Sequence, residues 1–230
     1  MPGVRCKFMP RTIQECSVNF IRALNAQSRR RPIDIRRQHV WIDGALMASA
    51  GAGNPPGTRL NPSDDLRRRI EQLLTNWRFQ LTDVLIADFV GFDTSIKNKI
   101  REIYSCCEET NPECWLQFGR IQKICNIWLK YHFALYFSGF DNEFTQGNPW
   151  LNNLINYAHV PIDRTVLNFL SRRHPIYTNL GHGRLSWKRD LQEPRYITLQ
   201  NILRTEAQTN GYNSSLHYEM DMIWTSNDDT

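Results

Sequence analysis

Apolar residues that recur at helical spacing are the feature that most limits the folds open to this chain. After Ser63 and Asp64, which are good residues for a helix N-cap, the apolar side chains fall on one helical face. They are Leu66, Ile70, Leu73, Leu74, Trp77 and Leu81. Strong alternation of apolar and polar residues, the pattern of a half-buried strand, is scarce along the chain. The sequence therefore predicts a mostly α-helical fold with several helices.

The same periodicity predicts further helices. Five of them cover residues 11–29, 112–118, 121–137, 163–172 and 197–207. Two more are expected to begin at N-caps, one at Thr94 and Ser95 and the last at Ser214 and Ser215. The first of these helices is expected to end before Pro32, because the residue before a proline disfavours the helical conformation. Residues 33–47 are expected to be extended, 48–62 to form a flexible loop rich in Gly and Pro, and 138–149 to form a second loop.

Positive charge is concentrated in the N-terminal part of the chain. Residues 1–60 contain ten Lys and Arg against three Asp and Glu, whereas the whole chain carries a net charge of +5. We therefore expect a basic N-terminal segment, residues 1–62, followed by a helical body, residues 63–230, that binds DNA and carries any catalysis. A basic region on a nearly neutral body is typical of proteins that bind polyanions, here double-stranded DNA. A merely solubilising surface is the alternative.

Several classes of protein are excluded by what the sequence lacks. The six cysteines form no C-x-x-C pair, so we expect free thiols in a reducing compartment and no metal site. No run approaches 18 apolar residues, and the first residues lack the apolar stretch of a signal peptide. The expectation is a cytoplasmic monomer that uses no cofactor and does not enter a membrane.

Two charged residues lie at the entrances of predicted helices. Lys123 follows Gly119 on the first turn of one helix, and Asp163 follows Pro161 at the start of the next. An aspartate at a helix start is a common N-cap, but a lysine there opposes the helix dipole, and misplaced charge often marks a functional site. An amine in that position loses its proton more readily and can act as a nucleophile, while the carboxylate can stabilise positive charge at a sugar C1′. The alternative is that both residues only cap helices or form an ion pair.

The pattern Gly119-x-x-x-Lys123, a helix, and then His159-Val-Pro161-Ile-Asp163 resembles the core of the helix-hairpin-helix DNA glycosylases, in particular their 8-oxoguanine branch. The resemblance covers residues 119–172 and implies a helical glycosylase-like domain. It also implies that Lys123 is the catalytic lysine and Asp163 the catalytic aspartate.

The chain departs from that family in two ways. Ile121 replaces the second glycine of the hairpin, and an insert over residues 138–156 makes the interval from Lys123 to Asp163 forty residues long. The chain also resembles uncharacterised bacterial proteins with a Gln-Lys-x-x-Asn-x-x-x-Lys-Tyr helix, a Pro-x-Asp-Arg segment and a C-terminal Glu-x-x-x-x-Trp, here Glu219 and Trp224.

The glycosylase resemblance implies further site residues. A flipped base needs an aromatic face, for which Trp128, Tyr131 and Trp150 are candidates, and a polar edge, for which Gln122, Asn126 and His159 are candidates. DNA phosphates would be bound by Gly119, Lys130, Arg164, Arg172 and Arg173. For the aromatic residues the alternative is packing in the core. For His159 it is a structural hydrogen bond, and for Lys130 and Arg164 it is a solvated surface.

Three functions remain open at this point. The first is a DNA glycosylase, a hydrolase that excises a damaged base in DNA repair or a phage-modified base in antiviral defence, with or without a lyase step. The second is a non-enzymatic helical protein that binds nucleic acid. The third, a helical RNase, ranks last because the chain lacks the Arg-x-x-x-x-His pattern of the common helical RNases.

Overall fold

The computed structural model describes residues 10–27, 64–83, 88–110, 117–173 and 191–223. These ranges contain nine α-helices and one π-helical turn, Glu219–Ile223. The helices are α1 (Ile13–Gln27), α2 (Asp64–Asp83), α3 (Phe89–Thr110), α4 (Phe118–Ser138), α5 (Asn142–Gly147), α6 (Trp150–Leu154), α7 (Arg164–Arg173), α8 (Glu193–Thr209) and α9 (Ser215–Tyr218). The described ranges contain no β-strand, so the expected mostly α-helical fold is confirmed.

Helix α4 lies at the centre of the structure. Sixteen of its 21 residues are buried, and α1, α3, α5 and α6 all pack against it. The sequence predicted an apolar face and a largely polar face for this helix, and neighbouring helices cover both. The polar side chains of α4 therefore need partners inside the protein.

Helix α1 belongs to the same core. It packs against α4, and its residues Cys16, Phe20 and Ile21 are buried. Arg11, two residues before the first residue of α1, donates from Nε to Asp221 Oδ1 at 2.6 Å and from its backbone N–H to Oδ2 at 2.9 Å. The predicted basic segment therefore contributes one helix to the body, and the start of that helix is joined to the π-helical turn near the end of the chain.

The ends of several helices differ from those predicted. Asp88, and not Thr94 or Ser95, caps α3, because its Oδ1 accepts from the backbone N–H of Gly91 at 2.7 Å. Thr94 and Ser95 lie inside that helix. The predicted loop 138–149 contains α5, which Asp141 caps through the N–H of Phe144.

Several predicted segments lie outside the residues that the structure describes. Residues 33–47 and 48–62 and most of the predicted helix 112–118 lie outside the described residues. So does Trp224. Within the described part of the chain, no helix has the combination of length and apolarity that crossing a bilayer requires.

Candidate functional site

Lys123 and Asp163 form an ion pair. Although forty residues separate them in the chain, Lys123 Nζ lies 3.0 Å from Asp163 Oδ2. The side chain of Lys123 is 9% exposed and that of Asp163 is 26% exposed. The pair is thus largely buried, and its carboxylate reaches solvent.

Asp163 is also the N-cap of α7. Its Oδ1 accepts hydrogen bonds from the backbone N–H groups of Thr165 at 2.9 Å and Val166 at 3.1 Å. One carboxylate oxygen therefore binds the helix start, and the other binds Lys123. Because these three bonds fix the carboxylate, it can face a developing positive charge without first being reorganised.

Lys123 does not lie on the first turn of its helix. The N-cap of α4 is Gln117, so Lys123 is the sixth helical residue, and Gly119 is the second. The prediction that Lys123 lies in the field of the helix N-terminus is therefore wrong, since that field fades beyond the first turn. What remains of the prediction is the pair with Asp163.

Gln122 does not face a ligand. It is fully buried, its Nε2 donates to Ile162 O at 2.7 Å and to Gly119 O at 2.8 Å, and its Oε1 accepts from Ile162 N–H at 3.2 Å. Each of these bonds is made within the protein. The prediction that Gln122 reads a base edge is therefore wrong.

Asn126 and His159 lie in a buried polar network centred on Tyr196. Asn126 Nδ2 donates to Tyr196 Oη at 2.9 Å, and His159 Nδ1 lies 2.7 Å from the same oxygen. Asp93 Oδ1 and Arg204 Nη2 each lie 2.7 Å from His159 Nε2. Both predicted base-edge residues therefore serve the core, and that prediction is wrong for each.

Burial sets the protonation of this network. It lowers the pKa of His159 to about 4, although the hydrogen bond with Asp93 opposes the change. Burial also acts to raise the pKa of Asp93, but the hydrogen bonds from His159 and Arg204 outweigh it and hold that pKa below its usual value. The network thus contains a neutral imidazole beside a carboxylate–guanidinium pair near neutral pH.

Lys130 is buried and paired with Glu219. Lys130 Nζ lies 2.8 Å and 2.6 Å from the two carboxylate oxygens of Glu219, and 4.7 Å from the centre of the Phe20 ring. Burial lowers the pKa of Lys130, while Glu219 acts to raise it. Lys130 is only 1% exposed, so the prediction that it binds DNA phosphate at the surface is wrong.

The three predicted aromatic residues have different surroundings. Trp128 is fully buried and stacks on Trp77 with ring centres 5.8 Å apart, so its proposed contact with a base is wrong. Tyr131 and Trp150 are partly exposed, the first beside Phe20 and the second donating from Nε1 to Asn148 Oδ1 at 3.2 Å. A contact of Tyr131 or Trp150 with substrate stays a prediction.

The remaining predicted phosphate ligands divide into two groups. Gly119 is buried, and its carbonyl accepts from Gln122, which contradicts a phosphate contact there. Arg164, Arg172 and Arg173 are all exposed on α7. Arg173 donates to Tyr218 Oη at 2.9 Å and pairs with Glu206, so Arg164 and Arg172 remain as the predicted phosphate ligands on this helix.

Sequence reasoning missed four residues that bond to the segment 158–163: Asp93, Tyr196, Gln200 and Arg204. Gln200 binds the backbone of Val160, and the other three surround His159. No local pattern marks them, since each gains its role from a contact more than 30 residues away along the chain. Within the described ranges, no three His, Cys, Asp or Glu side chains are grouped as a metal ion would need.

Comparisons with protein-family models, with curated proteins and with solved structures found no match to this chain.

Proposed function

We propose that this protein is a DNA glycosylase that cleaves the N-glycosidic bond of a flipped nucleotide, with Lys123 and Asp163 at the reaction centre. The observation that carries the proposal is the ion pair between Lys123 Nζ and Asp163 Oδ2, at 3.0 Å and partly open to solvent. An amine and a carboxylate within reach of one sugar carbon are the two groups that this reaction needs. The fold we propose is that of the helix-hairpin-helix glycosylases.

The chemistry assigns one role to each group. As the bond from C1′ to the base nitrogen breaks, its electron pair leaves with the base, and the Asp163 carboxylate stabilises the positive charge on the sugar. The Lys123 ammonium gives a proton to the departing base, and the lone pair of the resulting amine bonds to C1′. Alternatively, a water oxygen bonds to C1′ and the proton that the water loses passes to the departing base. The first route leaves a covalent intermediate that can proceed to strand cleavage, and the second releases the base alone.

The surface beside the pair supports a DNA partner. Arg164 directly follows Asp163, and Arg172 lies two turns further along α7, where both are exposed. Charged side chains of this kind position a nucleic acid through its phosphates without reading its sequence. A damaged base as substrate would place the protein in DNA repair, and a phage-modified base would place it in antiviral defence.

Borohydride trapping on modified duplexes tests this function. The panel carries oxidised, alkylated, deaminated, abasic and phage-type hypermodified bases, and the variants are Lys123→Ala, Asp163→Asn and, as a matched control, Lys97→Ala on α3. A covalent adduct that is lost in Lys123→Ala but kept in Lys97→Ala establishes the lysine route. Base release without trapping, lost in Asp163→Asn, establishes the hydrolytic route.

A non-enzymatic nucleic-acid-binding protein is the second candidate. It is favoured by the cap that Asp163 provides to α7, because this structural task accounts for one of the two carboxylate oxygens. Duplex binding that persists in both variants, with neither base release nor trapping on any duplex, would favour this candidate and overturn the glycosylase.

A further inference from the structure

The segment 158–163 follows the turn 155–157 after α6, leads to the start of α7 and delivers Asp163 to the site. It contains neither helix nor strand, and residues 158–162 are buried. Buried backbone N–H and C=O groups are costly unless they are hydrogen-bonded, and the described part of the chain contains no strand that could provide the partners. Side chains from two helices provide them.

Two glutamine amides make these bonds. Gln122 from α4 donates to Ile162 O at 2.7 Å and accepts from Ile162 N–H at 3.2 Å. Gln200 from α8 donates to Val160 O at 2.7 Å and accepts from Val160 N–H at 2.9 Å. Each amide thus exchanges two hydrogen bonds with a single residue, as a paired strand would. Pro161, between the two bonded residues, has no N–H that needs a partner.

Gln122 has a special place in this arrangement. It is the residue before Lys123, and the residue that it binds, Ile162, is the one before Asp163. Its amide is itself held, because Nε2 also donates to Gly119 O at 2.8 Å and Oε1 accepts from Asn126 Nδ2 at 3.1 Å. The two members of the ion pair are therefore joined through a single buried amide with fixed orientation.

We propose that Gln122 is a positioning residue for the reaction, which sets the distance between Lys123 and Asp163 by binding the backbone of Ile162. The inference rests on the proposed glycosylase function. Gln122 touches no substrate, and it acts by holding the carboxylate against the amine. Since a displacement of about 1 Å in such a site can cost about 100-fold in rate, a small loss of register is enough to be measured.

Gln200 offers a matched control. It is as buried as Gln122 and makes the same exchange of two hydrogen bonds, but with Val160, three residues before Asp163. Gln122→Met and Gln200→Met therefore both remove a two-bond exchange with this segment at similar burial, and Gln122→Met also removes the bonds to Gly119 O and Asn126 Nδ2. A purely structural role predicts that Gln122→Met lowers stability but keeps the rate of the folded enzyme, whereas a positioning role predicts that the rate of the folded enzyme falls.

Single-turnover base release and duplex affinity, measured separately, decide between a structural role and a positioning role for Gln122. In Gln122→Met we expect the rate of release to fall by about 100-fold while the dissociation constant for the duplex stays within about threefold. In Gln200→Met we expect both quantities to stay within about threefold of the wild type. Equal losses of rate in the two variants, or no loss in Gln122→Met, would overturn the proposal.

Crystal structures of both variants provide a readout that needs no substrate. Separation of Lys123 Nζ from Asp163 Oδ2 in Gln122→Met, with the ion pair kept in Gln200→Met, is the expected result. An intact pair in Gln122→Met would overturn the positioning role. Failure of the wild type to release any base would overturn the proposed function instead. If Gln122→Met does not fold, Gln122→Asn, whose arm is one methylene shorter, replaces it in the same comparisons.

Discussion

At the scale of single residues, the surroundings of two lysines on α4 decide what each can do. Lys123 and Lys130 lie two turns apart on the same side of this helix, and each is bonded to a carboxylate. Asp163, the partner of Lys123, is partly exposed, whereas Glu219, the partner of Lys130, is only 2% exposed. The first pair can meet a substrate, and the second can only stabilise or destabilise the fold.

The Lys130–Glu219 pair is expected to couple strongly. Removing one member leaves the other buried without the opposite charge of this pair, so Glu219→Gln and Lys130→Met should each lower the free energy of unfolding by about 3–5 kcal/mol. The double variant should cost much less than the sum of the two. Urea denaturation of the four proteins measures the coupling.

The exposed pair of Arg69 and Asp65 on α2 is the control for this cycle. Its side chains are 49% and 53% exposed, so its coupling should be about 0.5 kcal/mol or less. Additive costs for Lys130→Met and Glu219→Gln would show that Glu219 does not stabilise the ammonium.

At the scale of elements, helix α3 shows how a cap is misread from sequence. Thr94 and Ser95 were expected to start this helix, but it begins at Phe89, after Asp88. Thr94 Oγ1 instead donates to Val90 O at 2.8 Å, a bond to the preceding turn. Ser95 Oγ accepts from Trp77 Nε1 at 2.8 Å, so its role depends on α2.

Alanine variants of α3 distinguish the true cap from the apparent one. Asp88→Ala removes the acceptor for Gly91 N–H and should lower the free energy of unfolding by about 1 kcal/mol. Thr94→Ala removes only a bond to a carbonyl that the helix already uses, so we expect a change within about 0.5 kcal/mol. Chemical denaturation compares the two, and an equal loss in both would mean that the helix starts elsewhere.

Helices with one covered face were predictable from the sequence, and the central helix was not. The buried faces of α2 and α7 agree with prediction because one side of each helix packs on the core and the other side faces solvent. Leu66, Ile70 and Leu74 are buried on α2, and Val166 and Leu170 are buried on α7. Helix α4 is covered on all sides, so the position of a residue on it does not reveal exposure. The meeting of Lys123 with Asp163 was predictable only as a hypothesis, because the buried bonds between Gln122 and Ile162, which join the segments that carry the two residues, connect positions forty residues apart.

At the scale of the whole molecule, histidines packed away from water link the fold to pH. His132 and His159 are fully buried in the core, and His217 is partly buried against Arg11, whose carbonyl lies 2.8 Å from Nε2. Burial lowers the pKa of His132 to about 3 and that of His159 to about 4, and it lowers the pKa of His217 as well. The folded protein therefore resists protonation at three places where the unfolded chain accepts protons near pH 6.5.

The fold should consequently lose stability in mild acid. Below about pH 6.5 the unfolded chain binds protons that the folded state does not, so the free energy of unfolding falls as the pH falls towards about 4. Each histidine contributes at most about 1.4 kcal/mol per pH unit, and His132 continues to contribute down to about pH 3. Urea denaturation between pH 7 and 4 measures the slope of the free energy of unfolding against pH.

His159→Gln should be less stable than the wild type at pH 7 but should show a slope that is shallower by about one proton near pH 5. Parallel slopes for the two proteins would mean that His159 takes up its proton in the folded state, and the buried network around Tyr196 would then have to open in acid.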